Sequence, residues 1–174
     1  TTRRRVGSTE LELPVFGLGT AHVGELYSKV SEPDSQATFD AAWDAGVRYY
    51  DTAPWYGRGL SEHRTGAFLR TKPRNEFKIT TKVGRTLHRP KDPAHFDRGP
   101  WTGGLNFEVN FDYSHDGVMR SYEQALQRLA ADQRHIAVQH QHARVLGHSR
   151  HRLLHRVTGA ELLRLLGPVQ IRLA

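Results

Sequence analysis

The chain has 174 residues, no cysteine and a formal net charge of +7 at pH 7. This length suits one domain or part of a larger one, and the lack of cysteine excludes disulfides and thiolate metal sites. No apolar run approaches the roughly 18 residues of a membrane span, and no apolar stretch follows the arginine-rich start, so we expect a cytoplasmic protein.

The basic excess belongs to the last part of the chain. Residues 1–123 hold 17 Lys and Arg against 16 Asp and Glu, whereas residues 124–174 hold 8 Arg against 2 acidic residues. All 16 aromatic residues precede residue 123, and six of the eleven histidines follow residue 130. Composition therefore divides the chain into a first region, residues 1–130, and an atypical basic His/Arg-rich tail, residues 131–174.

Strands and helices alternate in the first region. We expect a small N-terminal β-hairpin over 6–13, strands over 15–21, 47–51 and 77–84, and helices over 32–46 and 60–70. Asp34 or Ser35 is the predicted N-cap of the first helix, and Ser61 that of the second. The β-α-β-α-β order predicts an α/β fold with a parallel sheet covered by helices.

The stretch 85–115 interrupts this rhythm. It begins as a Pro-, Gly- and charge-rich loop and continues as an extended arm over 105–113, and loops this long are usually functional. A third helix follows over 114–130, capped by Ser114 or Asp116. Together these elements amount to about half of an eight-stranded βα barrel, which needs about 250 residues.

Elements beyond residue 130 are weaker. The expected fourth strand is apolar only over 136–138. Thr158 and Glu161 form a capping-box pattern that predicts a helix over 158–168.

Polar residues end successive predicted strands: Gly19 and Thr20 end one, Asp51 the next and Lys82 the third. Sites in parallel β/α folds lie at these carboxyl ends, so we expect the side chains to converge. Tyr56 follows Asp51 by five residues. A tyrosine has a reference pKa of about 10, and a nearby ammonium favours its ionised form. An Asp–Lys–Tyr trio can therefore donate a proton to a carbonyl oxygen, with a nicotinamide cofactor supplying hydride.

The segments "GLGTA", "FDAAWDAGVRYYDTAPWYGRGLSEHRTGAFL" and "FKITTKVGR" resemble the aldo-keto reductase family, over about residues 3–130. The segment "FEVNFDYSHDGVMRSYEQALQRL" is similar to the branch of that family that contains sugar and pyridoxal dehydrogenases. The resemblance implies the N-terminal half of a (β/α)8 TIM barrel. It also implies NAD- or NADP-dependent interconversion of a carbonyl and an alcohol on a small-molecule carbonyl or sugar substrate.

The resemblance also implies roles for the polar residues. Tyr56 would be the general acid and base, Lys82 the cation that favours its ionised form, and Asp51 the partner of that lysine. Two further groups would surround them: Gly19, Thr20 and Asp51 at the cofactor, and Trp55 and Tyr56 at the substrate.

A fourth catalytic residue is implied by spacing alone. The family has a histidine at the end of its fourth strand, and counting from Leu129 places it on His140. The surroundings depart from the family pattern, because Gln139 replaces an apolar residue, Gln141 an acid and His135 an aspartate. We therefore assign His140 as the fourth catalytic residue on its spacing alone.

The composition change near residue 130 supports a hypothesis of truncation. A shifted reading frame from about residue 131, followed by early termination, would leave half a barrel with weak or no activity. Uncovered strand edges would then favour self-association.

Two alternatives to an enzyme remain open: a basic module that binds nucleic acid or metal through residues 131–174, and a remnant without function. No aromatic residues interleave with the arginines for base stacking, and no histidine spacing matches a strong metal signature. We therefore expect no metal site and no nucleic-acid partner.

Overall fold

The computed structural model describes residues 2–6, 11–131 and 136–140, the last of these as backbone only. Strands β1 (Arg3–Arg5) and β2 (Glu12–Pro14) pair antiparallel and form the expected N-terminal hairpin. The paired residues lie mostly outside the predicted range of 6–13.

Among the residues described, four parallel strands form the main sheet. They are β3 (Leu18–Gly19), β4 (Tyr49–Asp51), β5 (Lys78–Val83) and β8 (Ile136–His140), paired in the order β3-β4-β5-β8. Gly19 pairs with Asp51, and Asp51 pairs with Thr80, so these three positions form one row across the sheet. Spatial order equals chain order, as expected for the first half of a βα barrel.

Three α-helices lie in the described part of the chain: α1 (Glu32–Asp44), α2 (Leu60–Leu69) and α3 (His115–Leu129). Ser114 caps α3 as predicted, because its Oγ accepts a hydrogen bond from the Gly117 N–H at 3.1 Å. Within the described ranges, no helix is long and apolar enough to cross a membrane.

The predicted caps of the first two helices are wrong. Ser31 caps α1, accepting from the Asp34 N–H at 3.2 Å, because Pro33 in the first turn lets the helix begin upstream of Asp34 and Ser35. Gly59, with φ of 97°, precedes α2 in place of the predicted Ser61.

The predicted long loop contains, besides the expected extended arm, a strand that the sequence pattern did not reveal. β6 (Arg85–His88) pairs antiparallel with β7 (Glu108–Phe111), and Arg85 lies opposite Phe111. Of these two strands, only β7 lies in a segment with alternating apolar and polar residues. A positive φ of 90° at Gly84 turns the chain from β5 into this hairpin.

The core lies between the sheet and the helices. Phe39, Tyr50, Phe68 and Tyr122 are among its fully buried side chains. Burial raises the pKa of Tyr50 to about 12, with Arg48 opposing the shift.

A buried ion pair fixes the helices to the sheet. Arg128 of α3 donates from Nε to Glu62 Oε2 of α2 at 2.6 Å, and Glu62 is completely buried. Thr81 of β5 donates to the other carboxylate oxygen at 2.7 Å. Three elements therefore meet at one carboxylate, directly beside the strand position of Lys82.

We predict that Arg128→Met lowers the free energy of unfolding by about 3–5 kcal/mol, because it leaves a buried carboxylate without its cation. The double variant Glu62→Met/Arg128→Met should lose less than the single variant, because no buried charge remains. Urea unfolding followed by circular dichroism measures both; a larger loss in the double variant would contradict this view of the pair.

Candidate active site

The side chains of Asp51, Tyr56 and Lys82 meet at the carboxyl end of the parallel sheet. The Lys82 ammonium donates to Asp51 Oδ2 at 2.8 Å, to the Thr52 carbonyl oxygen at 3.0 Å and to the Tyr56 hydroxyl at 3.2 Å. A lysine ammonium has three donors, so this one is fully used. The Lys82 side chain is 12% exposed and that of Asp51 25%, so the ion pair is only partly open to solvent.

Thr80 orients the carboxylate, and sequence reasoning missed it. Its hydroxyl donates to Asp51 Oδ1 at 2.7 Å and shares a 3.0 Å hydrogen bond with the Tyr49 hydroxyl. Each carboxylate oxygen of Asp51 therefore has its own donor. The available signal was the position of Thr80, which lies two residues before Lys82 on the same strand and hence on the same face.

Gly19 and Thr20, the predicted cofactor residues, lie beside Asp51 but differ in exposure. A Cβ at Gly19 would meet nothing within 4 Å, so the backbone faces open space. Thr20 is fully buried, and its N–H and hydroxyl both donate to the Asp51 carbonyl oxygen, at 3.0 and 2.9 Å. Their role at a cofactor stays a prediction.

Ser61 links β3 to the turn after β4. Its hydroxyl lies 2.7 Å from Thr20 Oγ1, 2.8 Å from the Thr20 carbonyl oxygen and 3.1 Å from Thr52 Oγ1. Ser61 matches a local capping pattern, but its hydroxyl is used in these long-range hydrogen bonds, which a local pattern cannot reveal.

The rings of Trp55 and Trp101 form an aromatic wall beside Tyr56. The Trp101 ring lies 5.8 Å from the rings of both Tyr56 and Trp55, measured between centroids. The Arg85 guanidinium lies 4.8 Å from the centre of the Trp55 ring. Burial lowers the pKa of Arg85, with Tyr113 and Tyr56 opposing the shift. Trp55, predicted to face the substrate, thus contacts both Trp101 and Arg85.

Trp101 is held there by Arg58, a second residue that sequence reasoning missed. The fully buried Arg58 side chain donates to the carbonyl oxygens of Leu105 at 2.7 Å and Arg98 at 2.9 Å, and also to that of Gly103. All three acceptors lie in the loop between β6 and β7. Arg58 has a left-handed φ of 52°, which a long side chain rarely adopts.

His140 is placed by its backbone alone. It ends β8, and its Cα pairs with that of Val83, while Gln139 pairs with Lys82. The strand expected at the weakly apolar 136–138 does form, next to the strand that carries Lys82. A catalytic role for His140 stays a prediction.

Most of the tail falls outside the described residues. These include the predicted helix 158–168 and the histidines His135, His142, His148, His151 and His155. Among the residues that the structure does describe, no group of three or more His, Asp or Glu side chains could hold a metal ion.

The parallel sheet and the polar cluster at its carboxyl edge define a protein of the βα-barrel class. A model of the aldo/keto reductase family matches residues 15–144. The chain belongs to the aldo-keto reductase family. Members of this family use NAD or NADP, which confirms the expected cofactor at the level of the family.

Two curated relatives agree with the branch predicted from sequence. Pyridoxal 4-dehydrogenase of Microbacterium luteolum is 43% identical over 86% of this chain and 46% of its own length. D-threo-aldose 1-dehydrogenase of a Pseudomonas species is 42% identical over 75% of this chain and 41% of its own length. The chain therefore spans less than half the length of these relatives.

Solved structures confirm a partial TIM barrel. Glycerol dehydrogenase from Gluconobacter oxydans is similar with a TM-score of 0.59 and 27% identity, over 79% of this chain and 38% of its own. An aldo-keto reductase from Pseudomonas aeruginosa is similar with the same TM-score and 26% identity, over 94% of this chain and 53% of its own.

We predict that Arg58→Met releases the loop that carries Trp101. The free energy of unfolding should fall by at least about 1.5–3 kcal/mol, the value of one hydrogen bond to a charged group. Acrylamide should also quench tryptophan fluorescence more strongly in the folded variant. Arg98→Met is the matched control, because that side chain makes an exposed hydrogen bond to Asn106; quenching that rises equally in both variants would contradict the assignment.

Proposed function

We propose that the chain carries the proton-transfer site of an NAD(P)-dependent oxidoreductase that interconverts a carbonyl and an alcohol. The observation that carries this proposal is the Lys82 ammonium, which bridges the Asp51 carboxylate and the Tyr56 hydroxyl. The names of the two curated relatives support a sugar or a pyridoxal-like compound as substrate.

Tyr56 donates its proton to the carbonyl oxygen during reduction and takes it back from the alcohol during oxidation. Lys82, 3.2 Å from the phenol oxygen, stabilises the phenolate that remains. Asp51 holds the ammonium at that distance, and Thr80 holds the carboxylate. General acid–base catalysis of this kind contributes about 10²–10⁴-fold to a rate.

A nicotinamide group fits the open backbone at Gly19, where nothing approaches within 4 Å of a Cβ position. Gly19 and Asp51 would contact it at the same end of the sheet as Tyr56, and the buried Thr20 would position Asp51 through its two hydrogen bonds to the Asp51 carbonyl oxygen. The cofactor supplies or accepts hydride when bound. The contribution of the chain is to orient the carbonyl between that group and the phenol.

We also propose that the 174-residue chain turns over weakly by itself. Residues 1–130 act as a barrel half, to which the basic tail of residues 131–174 contributes the strand β8. In the described sheet, β3 and β8 each pair with one neighbour only. Such open edges favour self-association. Light scattering of the purified chain should therefore show species larger than 19.8 kDa.

We predict that Tyr56→Phe lowers carbonyl reduction by about 10²–10⁴-fold, because the proton donor is lost while the ring still packs on Trp101. The assay follows NADPH or NADH consumption with a set of aldehydes and aldoses. It is run on the chain itself at high protein concentration, and on a chimera that joins residues 1–131 to the second half of the pyridoxal relative.

The matched control is Tyr27→Phe, because Tyr27 is 76% exposed. Its rate should equal that of the unmodified protein. An active chimera with undiminished turnover in Tyr56→Phe would contradict the proposed acid. Turnover by the unmodified 174-residue chain at an ordinary enzymatic rate of about 10 s⁻¹ would contradict weak activity.

A further inference from the structure

Hydrogen-bond donors without partners are concentrated around Trp55. In the part of the chain that the structure describes, six buried side-chain nitrogen and oxygen atoms have no hydrogen-bond partner. Three of them belong to two residues that contact the Trp55 ring: Arg85 Nε, Arg85 Nη1 and Trp101 Nε1. Buried polar groups are almost always paired, so a cluster of orphan donors calls for an explanation.

Arg85 packs against aromatic rings, and its Nε and Nη1 have no hydrogen-bond partner. Its guanidinium carbon lies 4.8 Å from the centre of the Trp55 ring and 4.7 Å from that of Phe111. Ring stacking uses the faces of a guanidinium and leaves the N–H groups along its edge free to donate. The turn at Gly84 brings this residue from the lysine strand to the mouth of the site.

Trp101 supplies a second, neutral donor without a partner, and it also packs against the Trp55 ring. Its ring is 4% exposed and lies 5.8 Å, between centroids, from the rings of both Trp55 and Tyr56, so the residue packs directly against the proposed proton donor. The Arg58 hydrogen bonds fix the loop that carries it. A rigid orphan donor is a poor feature of a folding core, but it suits a binding pocket.

We infer that Arg85 and Trp101 determine substrate specificity by donating hydrogen bonds to oxygen atoms of the substrate beyond the reacting carbonyl. This inference rests on the proposed function and sharpens it. A planar guanidinium edge matches two neighbouring oxygens, and an indole N–H matches one hydroxyl. The site therefore takes a hydroxyl-rich substrate of the sugar type in preference to an apolar compound of the same size.

Phe111 is the more exposed of the two rings that stack on the Arg85 guanidinium. It is 61% exposed, although it lies on the Arg85 guanidinium. Moving a ring that is already mostly in water costs little hydrophobic free energy. A substrate oxygen reaches the guanidinium when the Phe111 ring swings outward.

The test uses the full ¹⁵N-labelled chain and its tryptophan indole N–H signals in NMR titrations. The chain has three tryptophans. Trp55 and Trp101 lie at the proposed site, and Trp43, which packs against Phe68 and Phe77, is an internal control. The probes are L-galactose, D-galacturonate and cyclohexylmethanol, which are hydroxyl-rich, hydroxyl-rich with a carboxylate, and apolar. We expect L-galactose to shift the Trp101 signal, to leave Trp43 unchanged and to bind more tightly than cyclohexylmethanol. Tighter binding of D-galacturonate would identify a carboxylate as the preferred oxygen pair.

Variants assign the effect to single side chains. Arg85→Met should weaken L-galactose binding about 10- to 100-fold, and Trp101→Phe about 2- to 10-fold, as expected for one charged and one neutral hydrogen bond. Arg85→Lys keeps the charge without the planar edge and should also bind more weakly. Phe111→Ala should bind at least as tightly as the unmodified chain.

The matched control is Arg48→Met. The Arg48 guanidinium also lies on a tryptophan ring, 3.7 Å from the centre of Trp43, but Arg48 directly precedes β4 and so lies at the opposite end of that strand from Asp51. It should keep the affinity of the unmodified chain. Three results would overturn the inference: no binding of either sugar, equal binding of cyclohexylmethanol, or full affinity in a folded Arg85 variant. No hydride transfer is needed, so sugar binding retained in Tyr56→Phe separates this inference from the proposed function.

Discussion

The ammonium of Lys82 is the interaction on which the site depends. A partly buried cation at the end of a strand is stable only if its donors find acceptors, and each of its three donors has one. Those acceptors belong to β4 and to the turn that follows it. Parallel pairing of β4 with β5 brings them into reach, because Asp51 pairs with Thr80. A slip of one residue would turn Lys82 to the other face of the sheet and separate the ion pair.

Local sequence patterns predicted this part well for a physical reason. Strands in a β-α-β-α-β order form a parallel sheet whose carboxyl ends meet, so Asp51 and Lys82 had to approach each other. Thr80 could have been found by the same rule, because it shares a face with Lys82. The local patterns failed where a side chain bonds far along the chain. Serine is a residue type that commonly caps helices, but the Ser61 hydroxyl donates to the Thr20 carbonyl oxygen, 41 residues away in the sequence.

The hairpin and its loop were beyond local prediction for a related reason. β6 has no alternating pattern, and nothing near Trp101 in the sequence points to Tyr56. The contact depends on Arg58, whose side chain reaches acceptors 40 to 47 residues further on. An arginine in a glycine-rich turn usually indicates a solvated charge. Burial and backbone acceptors are visible only in three dimensions.

Charge counted along the sequence also changes meaning once the fold is known. Arg128 is one of the eight arginines that make residues 124–174 basic, yet it is buried against Glu62. Part of the basic excess is therefore structural and is not available to a nucleic acid. The family match likewise continues to residue 144, past the change in composition, and includes β8. The three residues of the proposed proton-donating set lie within 51–82, so their mutual geometry is fixed by β4, β5 and the turn that follows β4. The fourth strand extends the sheet beside Lys82 without being needed to assemble that set.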